Sequence, residues 1–495
     1  MMSGISLNED DSHFFGSRQS KDMCEAGVDR LIDTYAGTDV KELLFCPNAM
    51  RTSYASEVWD PIWKGYDPKG NDDQPFFAGI KPSESLRWRA WPHNALLLHK
   101  KGIDPYARWI AKSRKAGISP WISMRMNDVH CVDNPDSFLH SDLWRKRPDL
   151  RRVTDRFEAW TDRAFDYAKE EVRAHHMALI RELARRYDFD GFEMDWMRFG
   201  FHFKPGHEAE GSEILTGFTR EVRELMDETA KKRGHTIELG ARVPSRPATA
   251  QGLGMDAIVW AREGLVQRLT TTPFWATIEF DMPIEEWRDL LKGTNAMLCA
   301  GLELNVQPYP GARQQANTIE TARGAATSLL SRGADRIYLF NYMDSETCMN
   351  GMENYPKLLR EIGSLERMEG KERRHIVTYS DTWAPEETRV IALPAVCGPG
   401  KTASFRIHIG PKPVIGKAAA IISADNKDML KEIRVKVNGQ DCPNIGVVKI
   451  PDPGPESPAC VFIVPLPALQ SGYNLLEADC GQDTNIVWAE IGIGD

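Results

Sequence analysis

The chain lacks several things that would classify it quickly. Its nine cysteines, at positions 24, 46, 131, 299, 348, 397, 442, 460 and 480, form no CxxC pair and no cysteine–histidine cluster of zinc-site spacing. Cysteine therefore does not organise the fold. An odd count, with Cys46 and Cys299 inside apolar runs, suits buried free thiols in a reducing compartment. No apolar stretch reaches membrane-spanning length, and Met1 to Asp11 has no basic segment followed by an apolar one. The expectation is a cytoplasmic protein with no membrane partner. The formal net charge of −9 offers no broad basic field, which argues against nucleic acid and favours a neutral or cationic small molecule over a polyanion. There is no internal repeat, no low-complexity tract, and no glycine-rich loop after the first strand-like run, the usual mark of an open doubly wound sheet.

What is present is a 495-residue chain of ordinary globular composition, 42% hydrophobic and 27% charged, long enough for a large domain and an appendage. Hydrophobic periodicity alternates between strand and helix as far as about residue 366. Strand-like runs fall at 4–7, 42–46, 120–126, 189–196, 236–243, 266–271, 296–306 and 336–342. Helical runs fall at 23–35, 105–116, 168–187, 213–232, 255–263, 284–291, 318–331 and 355–365. Eight such pairs predict an α/β (β/α)8 TIM barrel over residues 1–368, with a long aromatic-rich insertion at 48–94. Beyond Gly370 the period shortens to alternating runs at 375–379, 389–393, 403–409, 432–437, 460–465, 473–478 and 486–493, with a hairpin signal at Asn438-Gly439. These predict a C-terminal antiparallel β-sandwich domain over 369–495, read first as a structural cap.

The fourth strand, Phe189-Asp190-Gly191-Phe192-Glu193-Met194-Asp195-Trp196, carries most of the functional signal. Side chains alternate across a strand, so Glu193 and Asp195 share one face and Phe192 and Met194 take the other. In a parallel barrel, acids on the inner face near a strand's C-terminal end sit where substrates bind. Leu302-Glu303-Leu304-Asn305 shows the same parity on strand seven. Polar residues collect after the other strands too. Asp10 and Asp11 follow strand one, and Asn48 and Arg51 follow strand two. Arg125, Asn127, Asp128 and His130 end strand three, and Arg198 follows strand four. Arg242, Trp275, and Asn341 with Tyr342 close the ring at strands five, six and eight. Trp59, Trp63, Trp88 and Trp91 are placed in loops at the same end.

Glycoside hydrolysis needs two carboxyl groups flanking one bond. Asp195 is assigned as nucleophile or base and Glu303 as general acid/base, with the roles open to exchange. Glu193, one layer deeper, is a ligand or an alternative proton donor. The remaining ring residues, with Asn305, are assigned to substrate binding. Asp281 is a further acid, explained more simply as the start of the helix at Ile284. Asp10, Asp11, Asp128, Glu193 and Asp195 also make an oxygen-rich set of divalent-metal type. Arginines among them and the absence of paired histidines argue against a metal, so neither metal nor organic cofactor is assigned.

The strand-four motif, the eight-strand layout and the trailing β-domain resemble bacterial glycoside hydrolase-like barrel proteins. The segment Asp190-Gly191-Phe192-Glu193-Met194-Asp195 is similar to the strand-four signature of family 18 chitinases. Met197 stands where those chitinases carry their catalytic glutamate, so what the resemblance implies is the strand-four location, with Asp190, Glu193 and Asp195 at matching positions. The expected function is an enzyme, a glycosidase acting on a carbohydrate substrate. A metal-dependent sugar isomerase or hydrolase and a non-catalytic carbohydrate-binding protein are the rivals. Self-association into a homo-oligomer is left open.

Overall fold

The computed structural model describes residues 4–344 and 354–494, without the side chains of residues 82, 83 and 85–87. Eight parallel strands close into a barrel: β1 (Ile5–Glu9), β2 (Val40–Phe45), β3 (Ser119–Arg125), β4 (Gly191–Asp195), β5 (Glu238–Pro244), β6 (Arg268–Thr272), β7 (Met297–Leu302) and β8 (Arg336–Leu339). β1 pairs with both β2 and β8, so no edge is left open. The outward side chains, among them Leu43, Ile122, Phe192, Met194, Leu239, Leu269 and Leu302, are fully buried against the helices.

Helices form where local chemistry favours them. Pro105–Lys115 starts with proline in its first turn, and the Asp104 carboxylate caps it by accepting from Ala107 N–H. Glu208–Arg233 begins with acids and ends in Lys231, Lys232 and Arg233, matching the helix dipole.

Inside the barrel the side chains stack in polar layers. At the N-terminal end, the guanidinium groups of Arg268 and Arg336 both close on the Glu42 carboxylate, which also accepts from Ser6 Oγ at 2.5 Å. Arg268 lies over the Trp121 ring, 3.5 Å from its centroid. That indole fits because its neighbours on β4 and β5 are glycines: a Cβ at Gly191 would lie 2.2 Å from the ring, and one at Gly240 3.2 Å. In the middle layer Glu193 accepts from Ser123 Oγ and Tyr338 Oη, both at 2.8 Å. Most barrel interiors are filled by branched apolar residues. Here buried charge takes much of that space, and each charge needs a partner.

Several sequence expectations change. Residues 82–100 of the aromatic insertion form a helix, Pro82–Lys100, so Trp88 and Trp91 sit on a helix and not in a loop. The barrel portion of strand seven ends at Leu302, and Asn305–Val306 pairs with Gln315–Ala316 in a separate antiparallel hairpin. Asn305 therefore does not face the barrel axis in register with Glu303. Asp190 lies at the N-terminal end of β4, bound by Arg114 and Ser119, away from the C-terminal mouth.

After the barrel come two antiparallel sheets enclosing a second core that includes Phe405, Ile422, Phe462, Leu476 and Ile491. One sheet runs in the order Arg373–Ile376, Thr484–Gly494, Lys417–Ala424, Ala459–Val464, Asn444–Val448, and Ala395–Cys397 pairs with its second strand. The other runs Ala403–His408, Tyr473–Asp479, Arg434–Val437, Gln440–Cys442. Lys417–Ala424 was not expected as a strand, and residues 389–393 form none. The Asn438-Gly439 turn joins Val437 to Gln440 with φ of 49° and 79°, the left-handed conformations a tight hairpin turn demands. Arg373–Ile376 lies directly on the barrel helix Ile319–Ser331, where a Cβ at Gly324 would come 1.9 Å from the Arg374 carbonyl oxygen. Asp281 does not cap the helix at Ile284. It accepts from Arg332 at 3.0 Å, Arg406 at 2.6 Å and Tyr473 Oη at 2.8 Å, tying the second β-sheet to the barrel.

Gly191→Ala pushes a methyl group into the Trp121 indole between two packed strands. It is expected to destabilise the protein by about 1–3 kcal/mol in denaturant unfolding. An unchanged midpoint would refute the close packing of Trp121.

Candidate active site

Barrel closure brings residues from β3, β4, β5 and the chain after β7 and β8 together at the C-terminal mouth. Arg242 on β5 is central. Its Nη1 donates to Asp195 Oδ1 at 3.0 Å and Oδ2 at 3.2 Å, its Nη2 reaches Glu303 Oε1 at 3.5 Å, and its guanidinium lies 3.7 Å from the centroid of the Phe340 ring. Asp195 Oδ1 also accepts from the backbone N–H groups of Met197 and Arg198, at 3.0 and 2.9 Å. The turn that leaves β4 thus folds back over its last carboxylate. The other Glu303 oxygen accepts from Asn341 Nδ2 at 3.2 Å. Burial pushes the Glu303 carboxyl up to about 8, against opposition from Arg242 and Arg198. Glu193 is pushed up to about 7, by burial and then by the neighbouring Asp195.

Above this layer a cleft of about 230 Å³ opens, lined by Asp10, Asp11, Ser12, Arg125, His130, Arg198, Asn341 and the apolar surfaces of Trp88, Trp91, Leu139, Leu304 and Met343. Arg125 is the hub of its charged wall. Its guanidinium pairs with Asp10, lies 3.1 Å from Asp11 Oδ1 without an aligned hydrogen bond, and donates to Asp128 at 3.2 Å. Burial works to raise the Asp10 carboxyl, but Arg125 and the Ser12 hydroxyl outweigh it and hold the group low. Asp11, buried and beside two other acids, is pushed well above the usual carboxylate range. His130 Nδ1 lies 2.9 Å from the Asp128 carboxylate, which makes it the donor, and its Nε2 then accepts from Arg198 Nη2 at 2.8 Å. Burial first, opposed by Asp128, lowers the His130 ring from its ordinary value.

Asp195 and Glu303 are 1% and 0% exposed and do not line the cleft. Leu304 and Asn341, the neighbours of Glu303, form that part of the wall. Asn341 is held at φ 61°, a left-handed conformation that asparagine tolerates better than most residues.

Other ring residues are engaged with the loops. Asn48 donates to the carbonyls of Ala49 and Arg125, and Arg51 to those of His140 and Lys64. Asn127 donates to the Phe165 and Phe201 carbonyls and accepts from Phe165 N–H. Tyr342 Oη donates to the Glu303 carbonyl at 2.9 Å, and Asn305 Nδ2 reaches the Trp275 carbonyl at 3.4 Å. The Trp275 side chain is 46% exposed on the rim, beside a cluster in which Trp160 stacks on Phe274 at 5.7 Å and both meet Phe199 edge-on. Trp59 and Trp63 instead stack on His175 and His99 away from the cleft.

One feature escaped sequence reasoning. Asp381, in the segment after the first C-terminal strand, accepts from the backbone N–H groups of Phe274, Trp275 and Ala276 at 2.7, 2.8 and 2.7 Å, so the C-terminal part holds the rim loop. No local pattern marks it. His13 is buried between Glu9 and Asp344; burial alone would lower its pKa, but these two acids raise it to about 9.

Among the described residues, no three His, Cys, Asp or Glu side chains are grouped to hold a metal ion. Arg125 occupies the centre of the Asp10, Asp11 and Asp128 set.

No protein-family model and no curated protein matches the sequence. Among the solved structures similar to the chain are several enzymes that act on carbohydrates. One is a cycloisomaltooligosaccharide glucanotransferase from Paenibacillus sp., at 9% identity and TM-score 0.33, where 98% of this chain spans 57% of that one. Another is α-L-fucosidase isoenzyme 1 from Paenibacillus thiaminolyticus, at 12% identity and TM-score 0.35, covering 97% of this chain and 96% of that one. A third is a GH18 chitinase from Pseudoalteromonas aurantia, at 11% identity and TM-score 0.36, covering 72% and 99%.

The raised Glu303 pKa carries a stability consequence. The folded protein keeps a proton up to about pH 8 that the unfolded chain releases near 4.5. This contribution is whole below the lower value and is lost as the pH rises to the upper one. Glu303→Gln removes it, so the variant's melting temperature is expected to fall less than wild type's across that interval. Parallel pH profiles would show that Glu303 does not hold the proton.

Proposed function

We propose that this protein hydrolyses an O-glycosidic bond at the C-terminal mouth of the barrel, with Glu303 as proton donor and Asp195 as nucleophile or water-activating base. The observation that carries the reading is the placement of these carboxyls on either side of one guanidinium in different environments. Glu303 is pushed up to about 8 and so holds a proton at neutral pH. Asp195 accepts three N–H donors. Two carboxyls set apart by their surroundings are what acid and nucleophile roles require. Glu303 protonates the departing glycosidic oxygen while Asp195 attacks the anomeric carbon or deprotonates water. Glu193, hydrogen-bonded to Ser123 and Tyr338, supports Asp195 from the layer below.

The Asn341 side chain covers Glu303 Oε2, so a glycosidic oxygen reaches the acid by taking that place. The exposed Trp275 and Trp160 faces extend the site outward, a surface suited to the apolar faces of sugar rings.

One observation favours a second assignment within the same activity. Of the acids at this end, Asp10 and Asp11 line the cleft, and Asp11 is the one pushed toward its protonated form. A screen of chromogenic glycosides and natural oligosaccharides, followed by four variants, separates the two. Asp195→Asn and Glu303→Gln are each expected to lower kcat by about 100-fold or more, while Asp10→Asn and Asp11→Asn chiefly raise KM. Wild-type kcat should decline above about pH 8 as Glu303 loses its proton. The reverse pattern of variants would move the chemistry to β1. A wild type that cleaves no glycoside would sink both assignments, and loss of activity to a chelator would favour a metal enzyme.

A further inference from the structure

Arg198 is the one cleft-lining cation without a carboxylate partner among the described residues. Arg125 has three acids around it, and Arg242 below has two. Arg198 instead donates to the neutral Nε2 of His130, and its Nε–H, though buried, donates to nothing among the described residues. Its guanidinium rests near two aromatic rings, 5.3 Å from the Phe199 centroid and 5.5 Å from that of Phe340. Burial, then the nearby Arg125, lowers its pKa from the ordinary arginine value, against opposition from Asp10, Asp128 and Glu303, none of which forms an ion pair with it.

A buried or half-buried cation left in this state is costly in the empty protein and is relieved by an anion. We propose that the cleft takes a sugar bearing a fixed anionic group, a carboxylate or a sulfate ester, and that Arg198 binds that group. The proposal deepens the glycosidase reading and rests on it for the substrate being a sugar. The rest of the cleft fits such a ligand. Asp10 lines the same cleft with its carboxylate, and Trp88 and Trp91 add apolar surface to the lining. A guanidinium is the group best shaped to take a planar carboxylate or a sulfate through two hydrogen bonds. Asp10 and Asp128 make their ion pairs with Arg125 and act on Arg198 only at longer range, so Arg198 has no ion pair of its own among the described residues.

The test is direct binding by calorimetry. Glucuronate and galacturonate are compared with glucose and galactose, and galactose 6-sulfate with galactose, on wild type, Arg198→Gln and Arg198→Lys. Wild type is expected to bind one anionic sugar about ten-fold or more tightly than its neutral parent, the worth of one charged hydrogen-bonded contact. The winning pair distinguishes carboxylate from sulfate. Arg198→Gln should bring the two affinities together, and Arg198→Lys, which keeps the charge, should restore part of the difference. Circular dichroism and melting temperature confirm that each variant is folded. Equal binding of anionic and neutral sugars by wild type, no binding of any of them in the millimolar range, or a preference that survives in folded Arg198→Gln would overturn the proposal. Because the readout is binding, a protein that prefers the anionic sugar but cleaves no glycoside would sink the hydrolase reading and leave this one standing.

Discussion

The Arg242 guanidinium is the fixed point of this site, because it is the fully buried cation that two barrel carboxyls share. An ion taken out of water loses several kcal/mol of hydration, which only close partners restore. Asp195 receives the larger share, with the Arg242 contact and two backbone donors from the turn after β4. Glu303 receives the smaller one, a 3.5 Å contact to Arg242 and one amide donor. Burial pushes the Glu303 carboxyl up, and its few partners offset that only in part. Glu193, with hydroxyl donors and no arginine ion pair among the described residues, is likewise pushed up by burial one layer down.

Charge partnering also orders the mouth. Arg125 gathers Asp10, Asp11 and Asp128 from two loops, and Asp128 in turn sets the His130 tautomer that faces Arg198. Beneath the first loop, His13 sits between Glu9 and Asp344 and links β1 to the segment after β8. The C-terminal sheets join the same network from outside: Asp381 fixes the backbone that carries Phe274 and Trp275, and Asp281 anchors Arg406 and Tyr473 to the barrel. A unit expected as a simple cap therefore also shapes the rim of the cleft.

Much of the architecture was legible beforehand, and the failures have local causes. The eight strands were found because each is an apolar run whose neighbours are amphipathic helices, and Asn438-Gly439 marked its hairpin through its backbone preference. Lys417–Ala424 was missed because an alanine run carries no strand signature; it becomes a strand by pairing on both sides with Ala459–Val464 and Thr484–Gly494. Asn305 was placed on the axis by extending alternation past the end of β7, where the chain turns into its own hairpin. The net charge of −9 argued against a polyanion, and a global sum is silent about one cleft arginine that has no carboxylate partner among the described residues.

The sequence by itself determined the element types and the inward faces of β4 and β7, since alternation along a strand is set by adjacent residues. It therefore determined that Glu193, Asp195 and Glu303 point toward the axis. Only the tertiary structure decided which arginine meets which acid, which acids open to the cleft, and which carboxyl keeps its proton. Those outcomes depend on distance and on exclusion of water, and both arise when strands far apart in the chain close into one ring.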